Sequence, residues 1–275
     1  MLFLAVCCAR ASAFIPSVPQ ILREVFDGRR GRKATEVHLR HRVQSDAGAV
    51  EIDERIFVEK GKPVFLFKAQ GSEEVFGAAL QKGQYAFRGG LTVPTSSIVV
   101  LKYLLATTSE ELQGALVAEQ FVRREQLQQF KGGFTAEGDP ALWDLKTVYL
   151  IHPGIYLARF DGAITIAVSG LSEADESRAV YFDRSLKGIR RVEWRSRGAA
   201  RAWRMEGFVP MGSEGRFPSR LSFLSGESTL VFSELKSLRV PSESAVRDLR
   251  AAAGRGGGTP SGAVESALRT LLGYR

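Results

Sequence analysis

The residues able to do chemistry are few. The 275-residue chain has three histidines and two cysteines. His38 and His41 stand an odd number of positions apart on an alternating segment, so they face opposite sides of a strand and cannot share a metal ion. His152 precedes Pro153 in a turn. Histidines so placed read as surface or capping residues. The segments "PMGSEG" and "FLSGES" lack the G-x-S-x-G nucleophile elbow, and "GRRGRK" and "GRGGGTPSG" lack the Gly-Lys-Ser/Thr end that holds phosphate. No G-x-G-x-x-G follows a strand and opens a helix. Glu51, Asp53 and Glu59 share a strand side, but with Arg55 among them they read as a solvated charge ladder. The reading is a protein that is not an enzyme, with no cofactor, no metal ligand and no catalytic residue.

A second chemistry to weigh is nucleic-acid binding. The chain carries a formal charge of +8, with a pI near 9.7. Its densest basic run holds Arg184, Lys187, Arg190, Arg191, Arg195, Arg197, Arg201 and Arg204, with Trp194 and Trp203 interleaved. Basic groups and aromatic rings together can bind phosphates and stack bases. Strand parity opposes this use. Val192 and Trp194 share one face, as do Trp203 and Met205 on the next segment, so pairing places both tryptophans on an apolar side and Arg191, Arg195 and Arg204 on the other. The arginines read as a solvated face, and nucleic acid is not an expected partner. Contact of that face with anionic lipid headgroups stays open.

The elements that must position any site are mostly strands. "SVPQILREVFDG" carries Ile21, Leu22, Val25 and Phe26 at helical spacing before a glycine stop. Val37, Leu39, His41 and Val43 share one face of a strand that turns at Asp46-Ala47-Gly48 into Val50, Ile52, Ile56 and Val58. "KPVFLFKA" puts Phe65 and Phe67 on one side. Residues 96–130 switch to a helical period, with a break at Thr107-Thr108. Alternation resumes at Trp143, and Asp161-Gly162 between two alternating runs is a strong hairpin signal. "RFPSRLSFLSGESTLVF" forms another hairpin, with Leu221, Phe223, Leu230 and Phe232 read as one face. About ten sequential strands with short turns predict an antiparallel meander that curls. After Val240 come a short helix candidate, a Gly-rich linker and an amphipathic tail, "AVESALRTLLGYR", that either docks back or recruits a partner.

The leader "MLFLAVCCARASAF" has a short apolar run and a small-x-small Ala11-Ser12-Ala13, which reads as a signal peptide over residues 1–13, although no basic segment precedes the run. Both cysteines, Cys7 and Cys8, lie inside it, so removal would leave no thiol for a disulfide or a zinc site. A loose lipobox ("LAVC") and a cytosolic chain with a buried N-terminal segment are the alternatives.

The order of these pieces resembles the superfamily of the periplasmic lipoprotein carriers LolA and LolB. The matching residues are Tyr181-Phe182-Asp183, Gly188-Ile189, Val192, Phe217-Pro218, Leu221, Phe223, Leu230 and Phe232. The long helical block and the last 25 residues depart from the pattern, and no residue matches the family's functional arginine. The resemblance implies an α+β fold: a strongly curved, unclosed antiparallel β-sheet, a half-barrel, with helices covering its concave face. It implies such a domain over residues 17–250, followed by a linker and tail helix over 251–275. It also implies a monomeric periplasmic carrier that binds the acyl chains of a lipid or a lipidated protein. The candidate lining residues are Phe65, Phe67, Trp194, Trp203, Phe223 and Phe232. The competing expectation is an envelope structural or protein-interaction module whose core is fully packed.

Overall fold

Period-2 patterning along most of the chain becomes fifteen strands. They belong to a computed structural model that describes residues 17–27, 34–59, 62–106, 108–128, 135–136, 148–173, 175–183, 185, 187–211, 215–255 and 258–274. The leader lies outside the described residues. Helix α1 (Val18–Asp27) comes first. A hairpin ladder follows: β1 (Ala34–Ser45), β2 (Gly48–Glu59), β3 (Lys62–Ala69), β4 (Phe76–Gln81), β5 (Gln84–Phe87) and β6 (Thr92–Pro94). A helical strap comes next, made of α2 (Val99–Leu105), α3 (Ser109–Ala118) and a 3-10 turn (Arg124–Leu127). The second ladder begins with β7 (Thr135–Ala136), β8 (Val148–His152), β9 (Ile155–Phe160), β10 (Ala163–Ser172) and β11 (Glu176–Asp183). It continues through β12 (Gly188–Ser196), β13 (Ala199–Met211), β14 (Gly215–Ser225) and β15 (Ser228–Arg239). Helices α4 (Glu243–Arg255) and α5 (Gly262–Gly273) complete the order.

All fifteen strands form one antiparallel sheet with edges at β6 and β7. The two ladders join through β1 and β15, which pair from Glu36–Arg239 to Val43–Val231. Among the described residues the longest strands are central and the edge strands have three and two residues. Bulges at His38/Leu39, Ser169/Leu171, Tyr181/Phe182 and Phe223/Leu224 add bend and twist to a sheet too wide to stay flat. The result is the expected open, curved α+β half-barrel.

Local signals explain the turns. Asp161 and Gly162 both take positive φ (49° and 77°), the geometry that matches hairpin twist and favours Asp-Gly. The strap starts α3 at Thr108, whose side chain accepts from the Glu111 N–H, with Glu110 and Glu111 in the first turn where the helix dipole favours them. The strand count exceeds the expected ten because β4 ("FGAALQ") and its neighbours are short and poor in β-branched residues. The helical block is correspondingly broken, leaving helices of 7 and 10 residues.

Helices α1, α2, α3 and α5 share one continuous apolar core with the concave sheet face, reaching from Phe65 and Tyr85 through Val37 and Val231 to Trp203 and Phe223. Helix α4 lies on the opposite face, where Leu249 packs on Phe57 and Leu66. The division placed after residue 250 falls inside α4.

Candidate functional site

The concave face is lined by alternate side chains of nearly every strand, as pleating dictates. Two aromatic groups stand out. On β3 and β5, Phe65 and Phe67 stack at 6.4 Å, Tyr85 meets Phe65 edge-on at 5.1 Å, and Phe87 lies 5.6 Å from Phe67. On β12–β14, Trp194 and Trp203 flank Phe223 at 5.9 and 5.4 Å. Phe65, Phe67, Trp203 and Phe223 are fully buried, and Trp194 is partly buried with Phe121 edge-on at 6.3 Å. Five of the six candidate lining residues therefore lie in this interior, split between two clusters.

Phe232 does not. It pairs with Ser222, while Phe223 pairs with Val231, so Phe232 points to the convex face and is 39% exposed. The bulge at Phe223/Leu224 shifts the alternation that made Leu230 and Phe232 companions of Phe223. Leu230 packs against the core. Sequence parity alone cannot register a bulge.

The histidine reading also needs correction at His41. It is 1% exposed, its Nδ1 lies 2.7 Å from Ser233 Oγ and its Nε2 2.9 Å from Glu54 Oε2. The three groups come from β1, β15 and β2, so they bind the junction of the two ladders with a polar clamp inside an otherwise apolar surface. Ser233 is sealed at 1% exposure, which leaves a substrate no approach to its hydroxyl in this state. The basic face is corrected likewise. Register places Arg191 and Arg204 opposite each other and away from the tryptophans, as parity predicts, but Arg191 is buried. Its Nε donates to Glu193 at 2.6 Å, Glu193 accepts from the Tyr181 hydroxyl at 2.5 Å, and the guanidinium lies 5.4 Å from the centre of the Phe160 ring. Arg191 is therefore a structural residue, while Arg195 and Arg204 stay partly exposed and Arg197 exposed.

Several carboxyls titrate away from their ordinary values, Glu36 and Glu119 among them. Burial would raise Glu36, but hydrogen bonds from Arg239 (2.8 Å) and Arg55 (2.9 Å), with their charges, hold it below the usual carboxylate range. Burial raises Glu119, against the hydrogen bonds it accepts from Ser97 and the Ile98 N–H and the charge of Arg178. Glu119 thereby ties the end of α3 to the start of α2.

What the sequence left unassigned is the strongest feature of the site. Helix α5 packs against β1, β2, β6 and β15, with Ala267, Leu268, Leu271 and Leu272 fully buried. Just beyond it Tyr274 stacks on Phe223 at 4.4 Å with a 13° interplanar angle, and its carbonyl accepts from Trp203 Nε1 at 2.6 Å. Arg201 stands 5.1 Å over the same ring. The tail docks back, which the amphipathic pattern allowed without selecting. A separate cleft of about 480 Å³ opens between the 3-10 turn and β10, beside Val122, Arg123, Leu171 and Glu173. None of the six candidate residues lines it.

No protein-family model matches the chain, and no curated protein matches it. Solved structures align with most of it at low identity. A domain described as an outer membrane lipoprotein-sorting protein, from Vibrio parahaemolyticus, aligns with 86% of this chain and 97% of its own at 10% identity and a TM-score of 0.48. A LolA superfamily protein of Nitrosomonas europaea covers 83% and 95% at 12% identity and a TM-score of 0.42. A DUF1329 family protein from Desulfovibrio piger covers 83% and 95% at 7% identity and a TM-score of 0.47.

Proposed function

We propose that the protein is a non-catalytic carrier that holds an acyl chain, of a lipid or a lipidated protein, between the concave sheet and its helices. The observation that carries this reading is the apolar lining of that face, interrupted at the ladder junction by the His41–Glu54–Ser233 clamp and covered by helices and not by a second sheet. A helix that buries side chains without sharing a strand ladder can separate from a sheet while the ladder stays intact. Burying ten methylenes at ~0.8 kcal/mol each would supply ~8 kcal/mol, a dissociation constant on the order of 1 μM, with no specific polar contact. The leader over residues 1–13 supports export to the periplasm, and the proposed mature chain starts after Ala13.

The test is titration with a fluorescent fatty-acid analogue, read by energy transfer from Trp194 and Trp203, with native mass spectrometry of protein purified without detergent. Binding of about one probe per chain at micromolar concentration is the expected result. Absence of any acyl ligand in both measurements would overturn it. A second reading, an envelope interaction module, is favoured by the closeness of the packing: Phe65, Val37, Val231 and Phe223 are all at 0% exposure. It is the outcome if no probe binds.

A further inference from the structure

If the interior takes an acyl chain, something must now fill the space, and the occupant is identifiable. Helix α5 covers the strands at the ladder junction, whose floor carries Val37, Leu39, Val43, Ile52 and Ile56. Its four buried residues fall at spacings that make one narrow aliphatic stripe. Its 12 residues extend roughly 18 Å, a linear apolar object comparable with a fatty acyl chain. The opposite side is hydrophilic, with Arg269 donating to Glu265 one turn earlier at 2.8 Å.

The way α5 is attached suits an exchangeable part. Its N-terminal tether, residues 258–261, runs past the β4 and β5–β6 ends, where Thr259 Oγ1 donates to the Gly89 carbonyl. Helix α4 holds the other end of that tether on the convex face through Leu249. Helices α4 and α5 thus lie on opposite faces of the sheet and pack on it independently, so α5 can leave while α4 stays. At the far end, Ser96 N–H donates to the Gly273 carbonyl at 2.8 Å and Trp203 to the Tyr274 carbonyl. Neither bond belongs to the sheet ladder. The strap is fixed differently: the buried Gln126 side chain donates to the Pro153 and Ser169 carbonyls, and Arg178 donates to the Glu119 carbonyl.

We infer that the trench beneath α5, on β1, β2, β6 and β15, is the acyl-chain site, and that α5 is its resident occupant, displaced when an acyl chain enters. The inference rests on the carrier reading above. It moves the site from the aromatic clusters to the aliphatic ladder junction, with the His41–Glu54–Ser233 clamp in its floor. Tyr274 and Trp203 report its state, since their contact breaks when α5 leaves.

The experiment uses the full chain with Cys7 and Cys8 replaced by serine, a specific protease site inserted after Gly258 and a fluorophore on Glu265 replaced by cysteine, a position on the hydrophilic side of α5. After cleavage the labelled segment should stay bound and show high anisotropy. Palmitate and a diacylated cysteine peptide, added separately, distinguish a free lipid from a lipidated protein as the source of the chain. Release of the segment in step with ligand uptake, by either source, is expected. Uptake measured by native mass spectrometry while the segment stays bound overturns the inference and leaves the carrier reading standing. No uptake, even after the segment has been washed away, overturns the carrier reading itself. Because segment loss can destabilise the nicked protein, the uncut Leu268→Ala/Leu272→Ala variant gives a second readout. It should bind the fatty-acid probe at least roughly tenfold tighter than the parent chain, because a larger fraction has an empty trench. Unchanged or weaker binding in that variant counts against displacement.

Discussion

Two covers lie on the same concave face, and they are held in different ways. The strap of α2, α3 and the 3-10 turn is interlocked with the sheet by polar groups. The Tyr103 hydroxyl accepts from the Ile189 N–H, Gln126 reaches two carbonyls, and the chain at Gln120–Val122 runs directly over Gly170. Among the described residues, helix α5 is held by aliphatic side chains, by the Tyr274 ring between Phe223 and Arg201, and by hydrogen bonds of its flanking residues at either end. Polar interlocks need fixed geometry and break together, whereas aliphatic burial is non-directional and can be replaced by any apolar surface of similar area. The difference assigns the strap to architecture and α5 to exchange.

The sharpest way to break the comparison is at Gly170. A Cβ there would stand 2.2 Å from the Gln120 carbonyl oxygen and 2.5 Å from the Phe121 carbonyl carbon, both backbone atoms that cannot rotate aside. Gly170→Val should cost at least about 3 kcal/mol, the top of the usual overpacking range, in chemical denaturation, with Trp194 emission altered as Phe121 is pushed away. Leu268→Ala should cost less, about 2 kcal/mol, because the loss is limited by the docking energy of α5. Hydrogen exchange should then find α5 amides opening well below the global unfolding free energy and strap amides opening only with it. Equal protection in both covers would erase the distinction.

A smaller effect distinguishes the strap by pH. Glu119 has a folded-state pKa raised by burial, so its ionised form is penalised in the fold. The penalty is full above the folded-state value, is relieved as pH falls through it, and is gone below the ordinary value. Glu119→Gln keeps the acceptor for Ile98 and should stabilise the protein at pH 7.5 more than at pH 4, measured by urea midpoints. Glu36 behaves oppositely and is common to both proteins: its depressed pKa gives stability present above the unfolded value and lost as pH falls through the folded one. The least effect is expected on the convex face, where Phe232→Ser should change stability by less than about 0.5 kcal/mol and leave probe binding unaltered.

Much of the fold was legible. Local patterns identify α1, the Asp161-Gly162 hairpin, the Phe65/Phe67 face and the sidedness of the two tryptophans, because each depends on residues close in sequence. The short strands β4–β6 were not legible, since each has six residues or fewer and its alternation is too brief to read. Nor was the buried state of Arg191 or His41: a charged or titratable side chain is placed inside only when partners distant in sequence, here Glu193 and Tyr181 or Glu54 and Ser233, arrive to satisfy it. The face of Phe232 depended on a bulge.

By itself, then, the sequence determined the alternating strands, the tight turns, the helical interruption and the scarcity of catalytic groups, all written in spacings of a few residues. Only the tertiary structure decided that β1 and β15 join two ladders into one sheet, and that α4 and α5 lie on opposite faces of it. Only there does the last helix settle on the junction between the ladders. Those choices rest on contacts between segments about 200 residues apart, such as Glu36 with Arg239 and His41 with Ser233, and no local period encodes which apolar face meets which.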